Sequence, residues 1–152
     1  TGDPKADAAS AEQFGRLAEE ARAVGLPIGG EFYPGGDLSR FTPEEFHDLV
    51  LRSVRIIAEL GADFIKTFYT GPHFAEVVEA CPVPVIVLGA SKEAEAQALV
   101  KAQEGIAAGA RGVVFGRNVF ESERPQAFMD ALGDVVRAGM GAGEAAVKHG
   151  FA

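Results

Sequence analysis

A lysine in an apolar run is the first residue of this chain that could do chemistry. Lys66 stands in Gly61-Ala-Asp-Phe-Ile-Lys-Thr-Phe-Tyr-Thr70, beside Phe64, Ile65, Phe68 and Tyr69. That run reads as a buried strand. An ammonium is costly to bury unless it is paired or its pKa is lowered. A lysine of lowered pKa attacks carbonyls to give a Schiff base. The plainer reading turns Lys66 out of a sheet edge, or pairs it with Asp63.

Other candidates sit where strands should end. Tyr33 is the best acid/base candidate near Lys66, although its spacing alone favours an apolar strand-end tyrosine. Glu31 lies two residues before Tyr33 and faces the same side of a strand. It could assist proton transfers or hold Lys66 as an ion pair. Lys92 is a second amine just past the third strand, and it reads first as a surface lysine at a helix start. Gly89-Ala90-Ser91 and Gly116-Arg117-Asn118 are small-residue turns that open helices. Free backbone N–H groups and the helix dipole suit a phosphate there. Arg117 could add a charge-assisted bond, or it is a solvated side chain on a tight turn.

The remaining reactive types are scattered. His47, His73 and His149 show no metal-ligand spacing, and only His73 falls near the strand ends. We expect no metal and no cofactor. Cys81 precedes Pro82 at a helix end, away from that face, which argues against a nucleophile.

These residues need elements to place them. Phe14, Leu17, Ala18, Ala21 and Val24 recur at helical spacing behind a weak cap at Ser10 with Gln13, and residues 1–7 read as a loop. Leu26–Tyr33 is the first strand, stopped by Pro34-Gly35-Gly36; its Gly29 and Gly30 would let another group approach the backbone. Thr42-Pro43-Glu44-Glu45 starts a helix with Phe46, Leu49, Val50, Val54, Ile57 and Leu60 on one face. After the Lys66 strand, Thr70-Gly71-Pro72 opens a short helix that ends at Cys81-Pro82. Val83–Leu88 is a third strand, apolar throughout, as in a parallel sheet covered on both faces. A helix with Ala98, Leu99, Ala102 and Ile106 on one face follows, then a strand over 112–115 and a short helix over 118–120. The last long helix runs from Pro125 to Ala138 and buries Phe128, Met129, Leu132, Val135 and Val136; a short terminal helix follows the glycines of 139–143. Gly25, Gly61 and Gly109 suit left-handed helix ends. The alternation implies a parallel α/β sheet with ligands beyond the carboxyl ends of its strands.

Composition narrows the classes. The 152 residues suffice for one domain with a core, at 47% hydrophobic and 24% charged. A net charge of −8 with no basic patch argues against nucleic-acid partners. No run is apolar enough for a membrane span. A single cysteine and no signal-like start favour the cytoplasm.

Four stretches in order carry a resemblance: Glu31-Phe-Tyr-Pro-Gly-Gly36, Gly61 to Gly71, Cys81-Pro-Val-Pro-Val-Ile-Val-Leu-Gly-Ala90, and Gly109-Ala-Arg-Gly-Val-Val-Phe-Gly-Arg-Asn-Val-Phe120. Together they resemble the archaeal-type class I fructose-bisphosphate aldolases. That family includes the aminodeoxyheptulosonate synthases and the thiolase of quorum-signal breakdown. The resemblance implies a TIM (β/α)8 barrel in which Lys66 ends strand six and forms the imine. It implies Tyr33 at the end of strand five as proton donor and acceptor. Backbone at Gly89, Ala90 and Gly116, with Arg117, would hold a substrate phosphate. Relatives usually carry two glycines where this chain has Gly89-Ala90, and an apolar or aromatic residue where it has Glu31.

A full barrel takes about 250 residues and eight strands, and this sequence offers four strands. Residues 1–152 therefore read as the C-terminal part of one barrel domain, strands five to eight with flanking helices. The family's acidic residue on strand one has no counterpart here, and the start without Met looks like a continuation. An exposed half-sheet is an aggregation hazard. We expect the other half as an unseen, cleaved or separate segment, or a pairing of two copies; the family also implies a homo-oligomer. The implied activity is a lysine-imine aldolase, a carbon–carbon lyase of carbohydrate metabolism and glycolysis, acting on a phosphorylated sugar such as fructose 1,6-bisphosphate. A thiolase- or transaldolase-like relative on a phosphorylated keto substrate, and a non-catalytic phosphate-binding half-barrel subunit, fit the same residues.

Overall fold

Asp3 and Pro4 start the first helix. A computed structural model describes residues 3–34 and 37–152 of the chain. The Asp3 side chain accepts from the N–H groups of Lys5 and Ala6, and Pro4 opens helix α1, Pro4–Ala23. Ser10 is thus inside the helix, and the loop expected over 1–7 is helical from Pro4. A proline behind an aspartate cap is the stronger start, because the ring presets the helical φ and the carboxylate satisfies free N–H groups. Of the apolar stripe, Ala18 is buried, but Leu17 and Val24 remain exposed.

Strand β1 is shorter than the sequence suggests. It covers Gly29–Glu31, so Tyr33 lies beyond it. Pro27 has no N–H to give a ladder, and Ile28 N–H donates instead to Asp63 Oδ2 at 2.8 Å. Asp63 N–H returns a bond to Ile28 O, also 2.8 Å. The stop expected at Gly35-Gly36 lies outside the described residues. A 3₁₀ turn at Leu38–Arg40 leads to helix α2, Pro43–Glu59. Thr42 and Glu45 form a reciprocal capping box at its start. Its predicted apolar face is covered, with Val50 and Val54 fully buried.

Strand β2, Phe64–Thr67, pairs with β1 in parallel, in the register Gly29↔Phe64, Gly30↔Ile65 and Glu31↔Lys66. The paired glycines are there for space. A Cβ on Gly30 would lie 2.1 Å from Ile57 Cγ2, and one on Gly29 would lie 2.4 Å from the Phe64 ring. Helix α2 and an aromatic ring thus press against β1 only because two side chains are missing. Ile65 N–H donates to Pro84 O at 2.8 Å, on the other edge of β2. Helix α3, Phe74–Ala80, buries Phe74 and Val77. Each such fully buried side chain contributes about 1.5–3 kcal/mol.

Strand β3 is Val85–Leu88 and strand β4 is Gly112–Val114; they pair in parallel with Leu88 opposite Val114. Between them runs helix α4, Glu95–Ala107, with Ala98, Leu99 and Ala102 buried. Helix α5, Arg117–Phe120, is the expected short helix, and α6 spans Pro125–Ala138 as the pattern requires. Phe128, Leu132 and Val135 are buried in α6, whereas Met129 is 46% exposed. The terminal helix α7 is Ala142–His149. Gly25, Gly61 and Gly109 all take positive φ, at 73°, 107° and 103°. The chain divides into two compact units, Thr1–Val85 and Ile86–Ala152.

Candidate functional site

The first unit holds the amine. Parallel pairing sets Glu31 beside Lys66 at the carboxyl ends of β1 and β2. Side chains of paired residues in neighbouring strands rise on the same face. Glu31 Oε2 accepts from Lys66 Nζ at 3.0 Å, and the two side chains are 37% and 34% exposed. Lys66 is therefore partly open and ion-paired, where the apolar run suggested full burial. The pairing to Asp63 does not form; that carboxylate holds the backbone of Ile28. The residues flanking Lys66, Ile65 and Thr67, are both buried. They anchor the strand while the lysine projects from its other face.

Tyr33 occupies a different position from the one its spacing suggested. Its ring packs against Phe68 at 5.5 Å, tilted by 49°, and Phe68 in turn meets Phe46 edge-on at 5.2 Å. The residue is 57% exposed. Because β1 ends at Glu31, the alternation that put Tyr33 and Glu31 on one face does not extend to residue 33.

His47 and His73, read as scattered, come within 6.0 Å of each other. His47 Nδ1 bonds Thr70 Oγ1 at 2.9 Å, and His73 Nδ1 bonds Glu76 Oε1 at 3.0 Å. His47 Nε2 is buried without a hydrogen bond, 3.6 Å from Glu76. No group of three or more His, Cys, Asp or Glu among the described residues is arranged to hold a metal ion. Cys81 is buried, and burial pushes its thiol up from the ordinary value, which disfavours the thiolate.

The second unit holds the two small-residue loops. The Gly89 N–H donates to Val114 O at 3.1 Å. Its carbonyl accepts from Asn118 Nδ2 at 3.0 Å. Both backbone groups of Gly89 are thus engaged within the second unit. Ala90 follows with φ at +50°, a left-handed conformation unusual for a side-chain-bearing residue. Gly116 caps α5, and its carbonyl accepts from the N–H groups of Val119 and Phe120. Arg117, in the first turn, is exposed.

Asn118 organises these loops, and the sequence reading passed over it. It is 1% exposed. Its Nδ2 donates to Gly89 O and, at 3.3 Å, to Ser91 O, while its Oδ1 accepts from Glu93 N–H at 2.9 Å. One amide thus ties the segment 89–93 to α5. The signal available beforehand was an asparagine at a strand-to-helix turn, able both to donate and to accept.

Lys92 is a positioned side chain at the entry to α4. Its Nζ reaches Glu95 Oε1 at 2.9 Å and Glu93 O at 3.0 Å. The hydrogen bond from Lys92 holds the Glu95 carboxyl below its ordinary value of 4.5, against the opposite push of burial. A carboxyl lowered by folding contributes stability above its unfolded value and loses it as pH falls through the folded one. Substituting Glu95→Gln therefore lowers the urea midpoint near neutral pH. The gap to the unsubstituted chain closes as pH falls below 4.5.

No helix among the described residues is long and apolar enough to cross a membrane.

Comparison with known proteins bears on this arrangement. The chain is 38% identical over 136 residues to 2-amino-3,7-dideoxy-D-threo-hept-6-ulosonate synthase 1 of Archaeoglobus fulgidus, covering 90% of this chain and 50% of that protein. It is 37% identical over 121 residues to 3-hydroxy-5-phosphonooxypentane-2,4-dione thiolase of Escherichia coli K12, covering 80% and 40%. Among solved structures it is similar to an archaeal fructose-1,6-bisphosphate aldolase whose catalytic Lys is covalently bound to the carbinolamine intermediate of the substrate. That match has a TM-score of 0.74 at 31% identity and covers 83% of this chain and 51% of that one. The chain thus spans about half the length of its relatives. Its α/β fold is that of a TIM-barrel aldolase, matched over about half of the barrel chain. The family described as DeoC/LacD family aldolase matches residues 2–122, and the chain belongs to that family.

Proposed function

We propose that this protein is a lysine-imine aldolase acting on a phosphorylated keto compound, with Lys66 as the nucleophile. The observation that carries this reading is the amine at the carboxyl end of β2, paired in register with Glu31 and open enough to be reached. Strand ends are where barrel enzymes do their chemistry. An imine at Lys66 would draw electrons from the neighbouring carbon–carbon bond and leave an enamine on cleavage. Tyr33, at the mouth of β1, is the acid/base of this reading. The segment at Ala90, with Gly116 and Arg117, is its phosphate seat. Two of its relatives, the 3-hydroxy-5-phosphonooxypentane-2,4-dione thiolase and the fructose-1,6-bisphosphate aldolase, are named for carbonyl skeletons that carry phosphate. Fructose 1,6-bisphosphate is one such substrate, and the thiolase likeness makes acyl transfer to a thiol acceptor the second reading.

Residues 1–152 would then supply the C-terminal part of a single barrel domain, completed by an N-terminal half, in a homo-oligomer. The test is borohydride trapping of the full-length protein with dihydroxyacetone phosphate, followed by peptide mass spectrometry. A reduced adduct on Lys66 is expected. Folded protein with no adduct, or with one on Lys92, refutes the assignment.

A further inference from the structure

The group in hydrogen-bond contact with the amine is a carboxylate, not the phenol that the sequence favoured. We propose that Glu31 is a catalytic residue for imine formation itself: it takes a proton from Lys66 and returns protons to the departing oxygen of the ketone. This rests on the reading of Lys66 as the imine-forming nucleophile.

Three observations support it. Glu31 Oε2 lies 3.0 Å from Nζ, the distance of a direct proton transfer. The contact comes from strand register, Glu31 opposite Lys66, so the backbone of two paired strands fixes it. Both side chains are about one-third exposed, at 37% and 34%, so a ketone can reach the nitrogen while the carboxylate stays beside it. Tyr33, by contrast, is more than half exposed, and its ring packs tilted against Phe68. The other nearby carboxylate in the strand's approach, Asp63, is held at Ile28.

The proton balance closes on these two side chains. The Lys66 ammonium gives one proton to Glu31, leaving a neutral amine and a carboxylic acid. The amine adds to the ketone carbon; the C–N bond forms and the carbonyl π pair moves to oxygen. Glu31 protonates that oxygen and takes a proton from the new N–C nitrogen, which gives the carbinolamine. Glu31 then protonates the hydroxyl, the C–O bond breaks, water leaves, and the nitrogen lone pair closes the C=N bond. The carboxylate is restored beside a protonated imine, whose positive charge it balances. No other reactant is consumed.

The experiment separates this role from simple positioning. Borohydride reduces the imine and not the carbinolamine, so the trapping rate reads the dehydration step. With dihydroxyacetone phosphate on full-length protein, Glu31→Gln should slow adduct formation at Lys66 by about 100-fold or more, the usual scale for a lost acid/base group. Glu31→Ala should slow it similarly and regain rate with added formate, in proportion to formate concentration. Circular dichroism melts of each variant establish that the fold is kept. Trapping by Glu31→Gln at the unsubstituted rate overturns the proposal. Slow trapping by Glu31→Ala that formate does not raise overturns it too, and leaves Glu31 as an ion-pair partner only. If the unsubstituted protein forms no adduct at Lys66, the imine reading falls and takes this role with it. An adduct that forms regardless of residue 31 removes only the role of Glu31.

Discussion

Lys66→Arg is expected to abolish the borohydride adduct and to lower carbon–carbon cleavage by roughly 10⁴-fold or more, the scale of losing a covalent nucleophile. Arginine suits this test for a physical reason. Its guanidinium stays protonated and cannot act as an amine nucleophile. It still carries the charge that Glu31 faces, so the 3.0 Å ion pair has a successor and the ends of β1 and β2 keep their electrostatic partner. A drop in turnover would then report chemistry and not unfolding. Titration calorimetry with dihydroxyacetone phosphate gives the second half of the result. Binding should survive, because the loops proposed to seat the phosphate belong to residues 90–117. A variant that still turns over rules out the imine mechanism. An unsubstituted protein that binds the phosphate and never forms the imine supports instead the binding-only subunit.

Asn118→Ala should have the largest effect on stability combined with substrate binding. Removing the amide leaves Gly89 O, Ser91 O and Glu93 N–H without the partner they now have. Orphaned buried polar groups cost about 1–3 kcal/mol each; with Ser91 exposed and Glu93 half-buried, the expected loss is about 2–3 kcal/mol overall. For a chain of this size that is a fall in Tm of about 4–12 °C. The functional signature is more telling. Once segment 89–93 is freed from α5, KM for a phosphorylated ketone should rise. Trapping of hydroxyacetone, which has no phosphate, should change little at saturating ketone. Asn118→Asp is the control: it keeps an acceptor for Glu93 N–H but loses both donors and adds a negative charge near the proposed seat. It should harm phosphate binding more than Asn118→Ala does. Equal loss with both ketones would place Asn118 in the fold alone.

The parts of this molecule that local chemistry determines were legible before the fold was seen. The helix at Pro43 follows from Thr42, Pro43 and Glu45, whose bonds span three residues. The Lys66 strand follows from its apolar neighbours, and the left-handed turns follow from Gly25, Gly61 and Gly109. What sequence reading missed depends on distant partners. The sequence pattern runs β1 from Leu26 to Tyr33, but the length of a strand depends on what its neighbour offers: Asp63 takes the Ile28 N–H across 35 residues at its start, and the pairing with β2 ends at Glu31↔Lys66, before Tyr33. Asn118 looked like a turn residue because its partners are 25 to 29 positions away. Gly89 looked like a free donor because nothing local shows that Val114 takes its N–H. Leu17, Val24 and Met129 completed apolar patterns on their helices, yet they remain exposed. Periodicity shows which face of a helix is apolar, and not whether another element covers it.

The close fit at Gly29 and Gly30 bears on inheritance. The amine, its carboxylate, the two glycines and the helix that presses on them all lie between Gly29 and Thr67, within a single strand–helix–strand crossover. A recombination that cut outside this segment would carry Lys66 and Glu31 together, with their spacing already built into the strand register. A cut inside α2 would separate Glu31 from Lys66 and would also require the new helix to present a side chain compatible with bare backbone at residue 30. The Glu31–Lys66 pair is thus a transferable cassette, and exchange between related barrels is constrained to breakpoints on either side of it.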